Sequence, residues 1–296
     1  MKNIILTLAL LFLAVETASA IDRYETARIT SCTLQPVDST SPLPMLCYAL
    51  NGSPSAGVSK TIIFMNTGDR LFLSVINGDT AAHGFKWTFE TGTTSIPPGD
   101  TVTVVFQPVS SGAYPFIDGT NYPFNVARGL SGAVIVKDPS DNARDYVWFL
   151  NDHDVEWSNA LASGGTVNAS GYLADYFTIN GQSFPNTTGD TLASVTGTVN
   201  EQINIWIING GLLVHSMHFH GYHVGLLSRN GVSFQQPYSK DTFPVKQGEG
   251  FHTRLTPHQP GIFPVHDHIL MSVTSKGVYP NGMLVLLNIS QTGEEF

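Results

Sequence analysis

The chain has 296 residues, a formal net charge of −9 and only 12% charged residues, alongside 28 glycines and 17 prolines. Without a basic run to neutralise phosphates, nucleic acid drops out as a partner class. The abundance of Gly, Pro, Ser and Thr argues against long helices and for short strands joined by turns, and the length suits two domains that each bury a core.

The chain opens Met1-Lys2, runs apolar from Ile4 to Val15 and reaches Ala18-Ser19-Ala20. A charged start, a short apolar middle and a small-residue end read as a secretory signal peptide over residues 1–20. The run is too short to span a bilayer comfortably, and no later stretch is apolar enough to cross one. A mature chain beginning near Ile21 is therefore expected in a secreted or periplasmic/extracellular setting. Such a setting favours a disulfide between the only two cysteines, Cys32 and Cys47.

Residues 21–60 read as irregular, with Pro36, Pro42, Pro44 and Pro54 among polar residues and at most a short strand or two. From Arg70 a period of two is plain: Leu71, Leu73 and Val75 alternate with Phe72 and Ser74 before Asn77-Gly78-Asp79. Thr101–Phe106 and Gly132–Val136 are further strands. The polar joint Lys137-Asp138-Pro139-Ser140-Asp141 divides the chain into domains over 21–140 and 141–296. The second half supplies strands at Tyr146–Leu150, Gln202–Ile208, His215–His220 and Met283–Leu287.

The halves read as copies of one another. Leu71–Gly78 aligns with Ile203–Gly210, and Gly112–Gly119 aligns without a gap with Gly261–His268. Where the second half has His266 and His268, the first has Ile117 and Gly119.

Eight of the ten histidines fall between His215 and His268. Imidazole is the commonest metal-binding side chain, and alternate residues of a strand share a face. His218 and His220 therefore share one face of one strand, and His266 and His268 one face of another. If the strands are neighbours, four imidazoles meet. His215 and Asp267 have the opposite parity and point to the other side. An all-imidazole site suits Cu(II) or Zn(II). His223 reads as packed, His258 as a loop residue, and His252 and His153 as surface residues. Asp152-His153-Asp154 reads as a weak metal-binding or solvated acidic loop.

His215-x-x-His218-x-His220-Gly221, followed by Pro260-Gly261 and His266-x-His268-Ile269, resembles the last domain of the multicopper oxidases, most closely the two-domain, small-laccase-like members. The resemblance implies an all-β chain of two cupredoxin-type Greek-key β-sandwich domains and a copper cofactor. It implies metal ligands at His218, His220, His266 and His268. In the first domain it places Ala81-Ala82-His83-Gly84 where the family has His-x-His-Gly, making His83 a fifth ligand. In small laccase-like relatives the metal sites lie between subunits of a trimer, so a homotrimer in which His83 completes a neighbour's site is implied.

The resemblance also marks a loss. The position of the cysteine that binds the blue copper of the family is Asp267, and a later histidine position is Ser272. A carboxylate cannot provide the copper–thiolate bond of a blue centre. His215, Asp267 and Met283 could hold at most a non-blue metal; the plainer reading is a His215–Asp267 hydrogen bond. The expected function is an exported copper-binding protein with a mono- or dinuclear site that is not an ordinary laccase. The alternatives are a copper-dependent oxidoreductase with a reduced cluster and a metal-free scaffold. A zinc hydrolase lacks a placed general base, because Asp267 faces the wrong way.

Overall fold

The computed structural model describes residues 20–51 and 61–291. The expected signal peptide, apart from Ala20, and the stretch around Pro54 lie outside the described residues. The first half contributes β1 (Asp22–Leu34), β2 (Leu43–Leu50), β3 (Ile62–Asn66), β4 (Arg70–Asn77), β5 (His83–Trp87), β6 (Thr94–Ile96), β7 (Thr101–Phe106), β8 (Gly112–Ile117), the short helix α1 (Phe124–Ala127) and β9 (Ser131–Lys137). The second contributes β10 (Arg144–His153), helix α2 (Val155–Ala162), β11 (Tyr176–Ile179), β12 (Val195–Thr198), β13 (Ile203–Asn209), β14 (His215–Phe219), β15 (Val224–Arg229), β16 (Val232–Lys240), β17 (Thr242–Val245), β18 (Gly250–Leu255), β19 (Gly261–Asp267) and β20 (Leu284–Ser290).

Each half folds as two facing sheets. The first pairs β2-β1-β4-β7 with β3-β9-β8-β5-β6; the second pairs β11-β10-β13-β18-β15-β16 with β12-β20-β19-β14-β17. The period of two sets the cores, as alternation along a half-buried strand requires. Leu71, Leu73 and Val75 are fully buried in the first sandwich, with Ile29, Tyr48, Phe85, Trp87 and Phe116. In the second, Ile203, Ile205 and Ile207 face Trp148, Met217, Phe219 and Val265.

Strand β13 is buried along its whole length. Its inward residues build the second core, while Trp206 and Ile208 join Val147 and Phe149 against Ala113, Ala133 and Ile135 of the first half. The two sandwiches thus share an apolar seam, which explains why β10 and β13 read as continuous apolar runs. Among the described residues no helix is long and apolar enough to cross a membrane.

Residues 22–50 depart from the irregular reading. β1 and β2 form a long antiparallel ladder, and β1 also runs parallel to β4. The strand signal was hidden because β1 spends its outward positions on polar residues while Ala27 and Ile29 face the core. Cys47 pairs with Thr30 and Cys32 with Met45, so the thiols lie diagonally across this ladder; both are free rather than joined. The hydrogen bond with Cys47, and then burial, pushes the Cys32 thiol up.

The duplication extends to buried polar detail. The Asn77 amide donates to the carbonyls of Ala81 and Ile96 at 2.8 Å each and its oxygen accepts from the Asp79 N–H at 2.9 Å. Asn209 does the same with Leu213 (2.7 Å), Val245 (2.9 Å) and the Gly211 N–H (2.9 Å). Each asparagine brackets the loop that delivers the next strand. Because an orphaned buried partner costs about 1–3 kcal/mol, Asn209→Ala is expected to lower stability by about 3 kcal/mol in a urea titration, with an unchanged slope against urea concentration. A loss below about 0.5 kcal/mol, the scale of an ordinary surface change, would show that the loop does not depend on this bracket.

Candidate metal centre

β14 lies between β17 and β19, and its antiparallel register with β19 sets Met217 opposite Asp267, His218 opposite His266 and Phe219 opposite Val265. Met217, Phe219 and Val265 are buried in the core. His218 and His266 consequently face outward as a cross-strand pair, with His220 and His268 one pleat further along at each strand end. Ring centroids separate His218 from His220 by 4.7 Å, from His268 by 5.3 Å and from His266 by 5.7 Å; His220 and His266 are 5.0 Å apart. The four imidazoles expected to meet do meet, half-buried at His218 and His266 and exposed at His220 and His268.

Hydrogen bonds orient this cluster. His266 Nδ1 lies 2.8 Å from the carbonyl of Asp267, which can only accept, so Nδ1 carries the proton and Nε2 keeps its lone pair. His266 Nε2 stands 3.0 Å from His220 Nε2. His218 Nδ1 is 2.6 Å from Thr242 Oγ1. Partial burial, and then its histidine neighbours, hold His220 below the ordinary imidazole pKa. Among the described residues no three donor side chains are already posed around one metal position. His218 and His268 would have to turn their rings to join the close His220–His266 pair.

On the inner side of the same strands, His215 is completely buried between two carboxylates. Its Nδ1 is 2.7 Å from Asp267 Oδ2 and its Nε2 is 3.2 Å from Asp152 Oδ2. Asp267 also accepts from the N–H groups of Ser216 (2.8 Å) and Ile269 (3.1 Å). Asp152 accepts from Tyr172 Oη at 2.6 Å and from the N–H groups of Leu212 and Leu213. Burial opposes the imidazolium, but the two carboxylates outweigh it and raise His215 to about 9. Burial likewise opposes both carboxylates, yet His215 and the surrounding donors hold them below their usual range. Both nitrogens of His215 are engaged, so the non-blue site with Asp267 and Met283 has no free imidazole; the hydrogen-bonded reading applies.

His83 is not part of the four-histidine cluster in this chain. It is buried, with Nδ1 2.6 Å from Asp118 Oδ2 and Nε2 3.0 Å from Asp79 Oδ2. His83 follows Asn77 by the same six positions that separate His215 from Asn209. It pairs with Ile96 as His215 pairs with Val245. His83 is therefore the counterpart of His215, not of His218 or His220. The alignment of Ala81-Ala82-His83-Gly84 with a His-x-His-Gly motif was out of phase. The true counterparts of His218 and His266 are Lys86 and Ile117, which pair across β5 and β8.

Other histidines also differ from expectation. His153 and His252 are buried, and burial lowers each to about 4. His252 stacks on Trp206 at 3.8 Å and bonds Asn204. His223 is exposed rather than packed, and His258 is exposed as expected. Asp152-His153-Asp154 is no solvated loop: Asp154 caps α2 by accepting from Trp157 N at 2.9 Å, and Asp152 holds His215. Sequence reasoning missed Asp152, Asp79 and Thr242 as partners of histidines. The one available hint for Asp152 was its place two residues past the apolar run Tyr146–Leu150.

Residues 161–281, which include all four clustered histidines, match the family described as Multicopper oxidase. No curated protein matches. Among solved structures, the chain is similar to a blue copper oxidase from Nitrosomonas europaea, with TM-score 0.75 and 23% identity over 90% of this chain and 86% of that one. The multicopper oxidase mgLAC is similar at TM-score 0.74 and 23% identity, over 94% and 88%. A copper nitrite reductase from Nitrosomonas europaea is similar at TM-score 0.68 and 17% identity, over 92% and 94%.

The fold is the one shared by these copper proteins. In this cupredoxin-type fold, the inner face of β14 and β19 carries an ion network and the outer face the imidazoles.

The His215 network makes stability depend on pH. The folded state raises this group from 6.5 to about 9, so its contribution is whole below 6.5 and is lost as pH rises through about 9. The urea-unfolding free energy is expected to fall by on the order of 3 kcal/mol across that window. A flat profile there would show that His215 is neutral in the fold.

Proposed function

We propose that this is an exported copper-binding protein whose metal, mono- or dinuclear, is held by His218, His220, His266 and His268. The observation that carries this reading is the 3.0 Å approach of His220 Nε2 to His266 Nε2 inside a cluster of four imidazoles. Two nitrogens bound at about 2.0–2.1 Å to one metal stand roughly 2.9–3.4 Å apart, so the pair already has the separation of joint ligands. An imidazole set suits Cu(II) or Zn(II). The multicopper oxidase match over the same residues favours copper.

The supporting residues have definable tasks. The Asp267 carbonyl keeps the proton of His266 on Nδ1 and leaves Nε2 for the metal. Thr242 holds His218 Nδ1 from the neighbouring strand, a contact that turning the His218 ring toward the metal would release. Such partners of ligating histidines set ring orientation and basicity. Bound copper would supply one-electron chemistry at the protein surface.

With Asp267 at the thiolate position, the chain has no ligand set for a blue centre and should not act as an ordinary laccase. A copper-dependent oxidoreductase is the second reading, favoured by the exposure of His220 and His268, through which a small reactant could reach the metal. The trimer that the resemblance implies would need a residue other than His83 to complete a shared site, because both His83 nitrogens are engaged.

Protein loaded with Cu(II) and then desalted is expected to retain copper, give a type 2-like EPR signal and lack an intense blue band. The His218→Ala/His266→Ala double variant should lose the metal while keeping the β-rich circular dichroism of the parent. If the parent retains no copper, the metal-binding reading fails and a scaffold role takes its place. Turnover of dioxygen or nitrite with a chemical reductant would select the oxidoreductase over a binding or delivery role.

A further inference from the structure

In the first domain, the positions corresponding to the four clustered histidines are Lys86, Thr88, Ile117 and Gly119, and together they line a cavity of about 320 Å³. Tyr122, Gln247 and Gly248 complete its wall, so it opens at the seam between the two sandwiches. The volume is at the small end of pockets that hold organic ligands. Gly119 leaves the space that the Lys86 stem fills: a Cβ there would lie 3.1 Å from both Cβ and Cδ of Lys86.

The polar groups of this cavity are unbalanced. Among the described residues no carboxylate pairs with the Lys86 ammonium. Tyr122 Oη donates to Gln247 Oε1 at 2.5 Å and so fixes that amide. The amide nitrogen of Gln247 is buried and has no hydrogen-bond partner. Thr88 Oγ1 donates to the Gly248 carbonyl at 2.7 Å, holding the Gln247–Gly248 turn against β5. The cavity thus holds a cation and has in its wall a buried N–H donor without an acceptor, beside the apolar side chain of Ile117 and the ring of Tyr122. A buried donor without an acceptor is costly, and an acceptor that brings negative charge would satisfy both groups.

We propose that this cavity binds a small organic monocarboxylate, its oxygens on Lys86 Nζ and Gln247 Nε2 and its apolar body against Ile117 and Tyr122. One cation and one amide donor match one carboxylate. They do not match a phosphate dianion, which would meet fewer donors than it has oxygens and enter a chain of net charge −9. The site is independent of copper at the histidine cluster, and a failure of either leaves the other standing.

The test is isothermal titration calorimetry of the whole mature chain with benzoate at low ionic strength, with inorganic phosphate as the comparison anion. Saturable one-to-one binding of benzoate is expected. Lys86→Met, which removes the charge but keeps the stem, should weaken it about ten- to hundredfold, as loss of a charge-assisted hydrogen bond does. Gln247→Leu should weaken it separately, with Tyr122 left in place. Parent-like unfolding midpoints for both variants would establish that the pocket alone has changed. Absence of saturable binding, equal affinity in the Lys86→Met protein, or tighter binding of phosphate than of benzoate would each overturn the assignment.

Discussion

The buried contact of His215 with Asp267 and Asp152 is the constraint on which the second sandwich depends. One imidazolium between two carboxylates keeps three ionisable groups inside the core without leaving any of them unpaired, the condition under which buried charge is tolerated. The same carboxylate of Asp267 accepts N–H groups from β14 and from the turn after β19, so it ties the two neighbouring strands together at the end of their ladder. A slip of one residue would turn His215 and Asp267 outward and bury the four clustered imidazoles. The ion network therefore fixes which face of the sheet carries the histidines.

The first sandwich builds the same device from a different acid. Asp118 matches Asp267, but the second carboxylate is Asp79, from the loop before β5, whereas in the second sandwich Asp152 arrives from β10. The position matching Asp79 is Gly211, where a Cβ would come within 2.0 Å of Asp152 Oδ2. One site can take its acid from the loop or from the neighbouring strand, but not from both. The two solutions place a carboxylate on the same ring nitrogen, so the geometry around the histidine, rather than the acid's place in the chain, is what the two halves share.

Strand parity made much of this legible in the sequence. It placed His218, His220, His266 and His268 on one face and sent His215 and Asp267 to the other, because a period of two admits no third choice. The repeat was visible through Asn77-Gly78 and Asn209-Gly210. His83 was assigned to the wrong counterpart because a short His-Gly match was weighed above its distance from Asn77, although that distance records how the buried amide brackets the loop. Asp152, His153 and His252 were read as exposed because polar residues usually are. Their burial is decided by Tyr172, from the loop before β11, and by Thr178 and Trp206, from neighbouring strands, none of which leaves a trace in local spacing.

The two copies kept the inner network and diverged on the outer face, and that contrast bears on chemistry. If copper sits among the outer histidines, as proposed, it has no buried metal beneath it: the inner positions are filled by carboxylates in direct hydrogen-bond contact with His215. Electrons could not then enter through a thiolate-bound centre and would have to arrive from solvent, where His220 and His268 are exposed. The link that remains between the two faces is one residue long, the Asp267 carbonyl holding His266 while its carboxylate holds His215. Through that residue the ion network orients the His266 imidazole without carrying charge to it, which would suit a site that binds copper, as proposed, more than one that must be reloaded rapidly with electrons from within the fold.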